Sequence, residues 1–546
     1  MRMKRQGFLK SSAILLAMII ITKALGILYK VPLTLLLGGE GMGHLSAAMS
    51  VFAPVFAAAV SGITPAVAKL TAENCALRRF ANMRKTRRTA MRLFGLLGAA
   101  GCALLIAAAP LLSKLSGSSG SPAAVICAAP TLLFCALMSV EKGYYEGLSN
   151  MVPTAVSEIA ESVFRLVCGL GLGYAAGRVM GLSSELCAAA AILGTSAASM
   201  LGCIVIFVMT LRRGDGISKA DLESDPVTDS SRRIRSSLMT VCAPIALTTV
   251  VNSMSGLIDL MTIPRGLTAA AVKAPHLFDR ITAAGIRAEA VPNFVYGSYT
   301  ALALTIFGFV PTVTAMLSKS LLPEITAAHA CGDKVRLNKS LSRLIRAAAL
   351  IAMPAGALIM IRPEEILSLL FGPRATEIYA CREAFMILGA AAVFSGIAAP
   401  CFAALQLTGR PREGIKIMVG SAAVKLVLNL LLVRMPQLGI SGAAVSTLGS
   451  VMFIMELCLY RLRKLTGGRL RPAALMIKPM YAAGLAMAAA AAVPEIPEKR
   501  LFAGGGERAA LCVTLLFSCI VYGISLVLLC EMPKNKIKRS FFKKKL

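Results

Sequence analysis

"ITKALGILYKVPLTLLLGGEGMG", residues 21–43, is almost wholly apolar, yet it carries Lys23 and Lys30 seven positions apart. The apolar run begins near residue 11 and passes both lysines to Leu37. A bilayer core takes about 20 helical residues to cross, and a run of this length matches one. Outward from it, blocks of about 20 to 25 apolar residues recur along all 546 positions. The chain is 57% hydrophobic and only 16% charged, where a soluble protein carries roughly 25% charged residues. Mean hydropathy is +0.74. The runs are continuous rather than alternating, so helices are expected and a barrel is not. The basic start and apolar stretch look like a secretory signal, but no small-x-small site follows a short core; an uncleaved first span is expected.

Hydropathy places about 14 spans, at 11–37, 45–68, 91–113, 122–141, 151–176, 184–210, 237–262, 292–317, 345–361, 379–404, 414–433, 439–459, 473–493 and 509–530. With a cytoplasmic N-terminus, about 41 Lys and Arg fall in inner segments and about 12 in outer ones. The inner segments include "ALRRFANMRKTRRTAMR" and "KNKIKRSFFKKKL"; the outer ones include "LGGEGMGH" and "MPQLG". The bias puts both termini in the cytoplasm. The net charge of +31 is then a topology signal, with an added affinity for anionic lipid headgroups. Nucleic acid is not an expected partner, because those loops lack interleaved aromatics and any binding module.

The two halves echo each other. "GLSNMVPTAVSE" and "LQLTGRPREGIK" align through Pro153 and Pro411, and "AKLTAE" aligns with "PEITAA" at nearly the same offset. Matched spans are separated by six others, so they share an orientation, and the repeat is parallel about the membrane normal. The expected architecture is all-α and polytopic: an N-lobe at 1–212 (spans 1–6), a cytoplasmic linker at 213–236, a C-lobe at 237–464 (spans 7–12), spans 13 and 14 within 465–531, and a basic cytoplasmic tail at 532–546. Residues 264–290 read as an insertion in an outer loop of the second half.

Charges inside spans are costly and usually face a cavity or a partner. Lys23 lies about 12 residues into the first span, roughly 18 Å deep, too far to reach either surface easily. Lys30 follows two turns later on the same side. Glu161 and Arg165 form an i, i+4 pair in the favourable order, with Glu158 one turn earlier. They are either a structural ion pair or part of a face that couples binding to protons or to gating. Asn252 and Asp259 repeat the seven-residue spacing in the seventh span. Lys425 lies deep in the eleventh, with no acidic residue within four positions of it in the sequence. Arg382, near the start of the tenth span, reads as interfacial. Gly169, Gly173 and Gly177 read as a helix-packing face. The basic balance of these faces points to an anionic substrate. Lys23, Lys30, Arg165 and Lys425 are the candidate substrate-binding residues; Glu158, Glu161, Asn252 and Asp259 are candidates for coupling or gating. No phosphate-binding "GxxxxGK[ST]" occurs, nor any catalytic constellation. The 15 cysteines are scattered without a C-x-x-C pair, so no disulfide framework or metal site is expected.

"KALGILYKVPLTLLLGGEGMG", "GITPAVAKLTAE", "GYYEGLSNMVPTAVSEIAESVFRLVCGLGLGYA", "SLLPEITAA" and "GRPREGIKIMVGSAAVKLVLNLLL" resemble the polysaccharide-exporter and stage V sporulation protein B family. That family lies within the multidrug/oligosaccharidyl-lipid/polysaccharide (MOP) exporter superfamily. The resemblance implies a two-lobed, 14-helix flippase for lipid-linked sugars in the bacterial cytoplasmic membrane, related to the lipid II flippases of peptidoglycan synthesis. It implies that Lys23 and Lys30 meet the substrate's diphosphate and that Lys425 is the family's basic residue in the eleventh span. His44 stands where the family pattern suggests Tyr, and Glu146 and Glu158 stand where relatives often carry Gln. No bound cofactor is expected; coupling to H+, Na+ or the membrane potential is. A monomer is expected, with cell-wall synthesis enzymes as candidate partners. The rival readings are an ion-coupled exporter of small molecules and a membrane scaffold that does not transport.

Overall fold

The computed structural model describes residues 8–115, 121–214, 228–372, 374–407 and 411–492, with 517, 520–522 and 524–525. Most of the expected linker, most of the expected fourteenth span and the basic tail lie outside the described residues, which are helical and contain no strand. Eleven stretches among them are long and apolar enough to cross a membrane. The first, Ala17–Ala76, has 60 residues, enough for two crossings of about 20 residues each.

The chain forms two compact units, Met1–Pro264 and Arg265–Leu546. In the first unit the helices are α1 (Phe8–Val60), α2 (Ile63–Ala76), α3 (Phe80–Leu115), α4 (Pro122–Ala128), α5 (Pro130–Gly147), α6 (Val152–Phe164), α7 (Leu170–Tyr174) and α8 (Ser184–Arg213). Helix α9 (Ser231–Lys273) runs through the unit boundary. The second unit continues with α10 (Asp279–Thr282), α11 (Val291–Ser298), α12 (Leu304–Phe307), α13 (Phe309–Ala330), α14 (Lys334–Ile361), α15 (Pro363–Phe371), α16 (Ala375–Leu407), α17 (Pro411–Leu432), α18 (Gly439–Leu465) and α19 (Pro472–Ala492). Helix α19 coincides with the expected thirteenth span.

Where the sequence reading places a short outer loop at "LGGEGMGH", the structure narrows the break to a kink between two helices within α1. Gly38 alone leaves helical geometry, at φ 65° and ψ −177°. Residues 41–44 are buried, and backbone groups without water need the helix's own hydrogen bonds. A second departure lies in the fifth span. Helices α6 and α7 form one helical run interrupted by π turns at Arg165–Gly169 and Ala175–Val179. The expected insertion at 264–290 begins as the last turns of α9 and then breaks into short turns. There the Arg280 guanidinium stacks 4.0 Å from the centre of the Tyr379 ring.

Both units use one packing scheme. In the first, α2 packs on α3 and α5, α3 on α5, and α5 and α6 on α8. In the second, α13 packs on α14 and α16, α14 on α16, and α16 and α17 on α18. The two prolines aligned from the sequence open the corresponding helices α6 and α17. Close approach is carried by glycines in each unit. A Cβ on Gly143 of α5 would sit 2.6 Å from the Thr64 carbonyl oxygen of α2. A Cβ on Gly356 of α14 would sit 2.5 Å from the Gly389 carbonyl oxygen of α16. Such small-residue contacts let membrane helices touch backbone to backbone. Gly169 and Gly173 likewise meet Tyr29, Leu33 and Leu36 of α1.

Gly143→Ala forces α2 and α5 apart and is expected to cost about 1–3 kcal/mol. Gly484→Ala in α19, where a Cβ would meet nothing within 4 Å, is expected to be neutral. Thermal unfolding midpoints of the two purified variants give the comparison.

Candidate functional site

Helix α1 has two open sides. At about 100° per residue, Ile21, Ala24, Leu28 and Leu35 share one side, and all four are exposed. Lys23, Gly26 and Lys30 lie on the opposite side. Lys23 and Gly26 are exposed and Lys30 is half-buried; a Cβ on Gly26 would meet nothing within 4 Å. The rotation of the helix is fixed between these sides, where Leu33 is buried and the Tyr29 ring lies against Gly169. An exposed apolar stripe suits hydrocarbon. An exposed lysine stripe needs water or an anion. Among the described residues, neither Lys23 nor Lys30 joins an ion pair.

The carboxylates of the first unit sit in a chain of buried contacts. The Arg165 guanidinium, which opens the first π turn, donates to the Glu161 carboxylate at 2.5 Å. Ser199 of α8 donates to the same oxygen at 3.1 Å. Glu158 does not join this pair. It meets Lys142 of α5 at 3.3 Å, and Lys142 is itself buried. Thr154 donates to Glu146 at 3.2 Å. Beside Lys142, Glu141 has no exposed surface. It accepts from Arg87 of α3 at 2.8 and 2.9 Å and from the Thr210 hydroxyl at 3.2 Å. Arg87 also stacks 4.9 Å from the centre of the Tyr144 ring. Tyr29 lies beside Arg165 and Thr195, which links the α1 surface to this network.

The remaining candidates lie elsewhere. Asn252 is exposed on α9, and Asp259 is buried at 5% exposure. A Cβ on Gly256, on the same side of α9, would face the Ser50 hydroxyl. Lys425 is 4% exposed, on the side of α17 that packs on α18. One turn before it, Ser421 donates to the Ser450 carbonyl at 3.1 Å. One turn after it, Asn429 accepts from Ser446. Arg382 pairs with Glu364 of α15.

Sequence reasoning found the Glu161–Arg165 pair and the lysine side of α1. It missed Glu141 and Lys142, because it ended the fourth span at residue 141, and it counted Arg87 with an inner segment. The available signal was Gly143 and Gly147, a small-residue pair four apart that carries the helix onward against α2. No cluster of His, Cys, Asp or Glu among the described residues could hold a metal ion.

A model of polysaccharide biosynthesis proteins matches residues 8–274, and a model of the lipid II flippase MurJ matches residues 295–498. Stage V sporulation protein B of Bacillus subtilis (strain 168) is 23% identical over 98% of each chain. Lipid II flippase MurJ of the same organism is 20% identical over 78% of this chain and 77% of its own. Among solved structures, lipid II flippase MurJ in an inward closed conformation superposes with a TM-score of 0.67 at 11% identity, covering 94% of this chain and 98% of its own. An inward-facing multidrug resistance MATE family transporter of the MOP superfamily gives 0.59 at 16% identity, covering 83% and 95%. The family resemblance seen in the sequence is borne out, and the chain has the all-helical fold of MOP-superfamily transporters.

Removing Arg87 leaves the Glu141 carboxylate buried without its cation. Arg87→Ala is expected to destabilise the protein by about 3 kcal/mol. Glu141→Gln in the same chain should recover part of the loss, because a neutral amide needs no counter-ion. A double-mutant cycle on the unfolding midpoint checks both.

Proposed function

We propose that this chain, with the fold of the MOP-superfamily transporters, is a flippase for a lipid-linked saccharide. It would move an undecaprenyl-diphosphate-linked precursor across the bacterial cytoplasmic membrane by alternating access. The observation that carries the reading is the α1 surface, where Lys23, Gly26 and Lys30 lie opposite an exposed apolar stripe. A bilayer tolerates such a stripe only where water or an anion reaches it. Similarity to proteins named as a lipid II flippase and a sporulation protein supports a diphosphate-linked sugar as that anion.

The chemistry suits carriage. A lysine ammonium is a compact point charge with three rotatable donors, and it holds phosphate without the fixed fork of arginine. That geometry favours a grip that can be released. The open Gly26 between the lysines gives a diphosphate close access to the helix. Arg165 extends the positive field towards Tyr29, held in place by Glu161 and Ser199. Glu158, paired with Lys142, is the carboxylate best placed to couple transport to a proton or another cation. Asn252 and Asp259 are assigned to gating, on α9. Lys425, between two rungs of hydrogen bonds to α18, would act by holding α17 against α18. The positive-inside bias places both termini in the cytoplasm. The chain carries no chemistry of its own in this reading; substrate and anionic lipids are its partners.

Native mass spectrometry of the purified protein with lipid II and with an undecaprenyl-diphosphate oligosaccharide tests the reading. Wild type should retain one of the two. Losing two charge-assisted contacts in Lys23→Ala/Lys30→Ala should weaken retention by about a hundredfold. Equal retention in both proteins removes the lysines from the site. No adduct from a folded wild type, with uptake of a small organic ion instead, moves the function to a small-molecule exporter.

A further inference from the structure

The second unit holds a cavity of about 640 Å³ between the end of α14, α15, α16 and the start of α18. That volume suits a small organic ligand. Its charges largely cancel. Glu365 pairs with Arg362 at 2.7 Å, and Glu364 pairs with Arg382; Glu383 is exposed. What the cavity offers is hydrogen bonding. Glu364 and Arg382 are both partly exposed, and a carboxylate and a guanidinium each make several hydrogen bonds beyond one shared contact. Ser441 lines the cavity and is 7% exposed. Among the described residues its hydroxyl has no hydrogen-bond partner, and a buried hydroxyl needs one. The exposed Gln437 adds an amide. Met360 of α14 and Met386 of α16 supply an apolar wall. Gln437 belongs to the outer segment "MPQLG", so the charge bias puts the cavity on the outer side of the membrane.

We propose that this cavity binds an uncharged sugar ring, and that the ring belongs to the saccharide headgroup on the outer side. A pyranose carries hydroxyls around its edge and C–H groups on its faces. The hydroxyls match Ser441, Gln437 and the open side of the Glu364–Arg382 pair. The faces match Met360 and Met386. A phosphate would be repelled by Glu364, Glu365 and Glu383, and an acyl chain would leave the Ser441 hydroxyl unsatisfied. Sugar binding rests on the cavity alone; the headgroup as its source rests on the flippase reading.

The test uses the full chain in a detergent without a sugar headgroup, with N,N′-diacetylchitobiose as the probe, read by saturation-transfer NMR. Wild type should bind it, and Ser441→Ala/Gln437→Ala should weaken binding by about tenfold or more. The two changes remove a hydroxyl without a protein partner and an exposed amide, so the unfolding midpoint should not move. Equal binding by wild type and the double variant, or none by a folded wild type, overturns the proposal. The deacetylated disaccharide, a dication, should bind no better. If it binds and the neutral sugar does not, Glu383 draws a cation and the sugar assignment fails. Added lipid II should displace the probe from wild type. If it does not, the cavity takes a free saccharide and the headgroup assignment fails. Lys23→Ala/Lys30→Ala should bind the probe as wild type does. A wild type that retains lipid II but binds no probe fails this proposal and not the transport reading.

Discussion

A charge in hydrocarbon must have a counter-charge or a route to water, and the cost of neglecting this is about 2.5 kcal/mol or more per residue. That constraint sorts the charged side chains of this protein into two groups. Glu141 with Arg87, Glu158 with Lys142, Glu161 with Arg165 and Glu364 with Arg382 are paired. These pairs join neighbouring helices or successive turns, and they set how the helices meet. Lys23 is exposed on α1 and Lys30 is half-buried, and neither belongs to an ion pair among the described residues. The paired charges define the scaffold, and in the proposed reading the lysine side is what a ligand meets.

Much of this was legible in the sequence, because membrane helices obey few rules. Apolar runs gave the helices, and Pro153 and Pro411 marked the same helix start in each half. The i, i+4 spacing of Glu161 and Arg165 predicted their contact. The seven-residue spacing of Lys23 and Lys30 put them on one side. The unread parts depend on distant contacts. Nothing local says that Glu158 turns to Lys142, sixteen residues away and on another helix. Nothing local says that residues 41–44 are buried and helical so soon after the break at Gly38. Glycine-rich segments read as loops by propensity; here the break is confined to Gly38 and the residues on either side are helical.

The two units reach one packing scheme with glycines at different helix pairs. In the first, glycines on α5 seat against α2. In the second, glycines on α14 and α16 seat against each other. Glycine is weak helix material in water, yet in a bilayer its missing side chain is what lets two backbones approach. The same economy of volume lets the Tyr29 ring lie against Gly169.

The π turns at Arg165–Gly169 and Ala175–Val179 have a further consequence. Closing a turn by an i→i+5 bond takes one residue more than an i→i+4 bond, so each π turn acts as a one-residue insertion absorbed without breaking the helix. Ahead of Arg165, the surface carrying Glu158 and Glu161 keeps its ordinary angular phase. Beyond it, every residue is rotated back by roughly 100° against a pure α-helix. The acidic side of α6 and the glycine side of α7 are therefore decoupled in phase, each turned to its own neighbour. An ungapped alignment with a chain that lacks these π turns would pair residues that point in different directions.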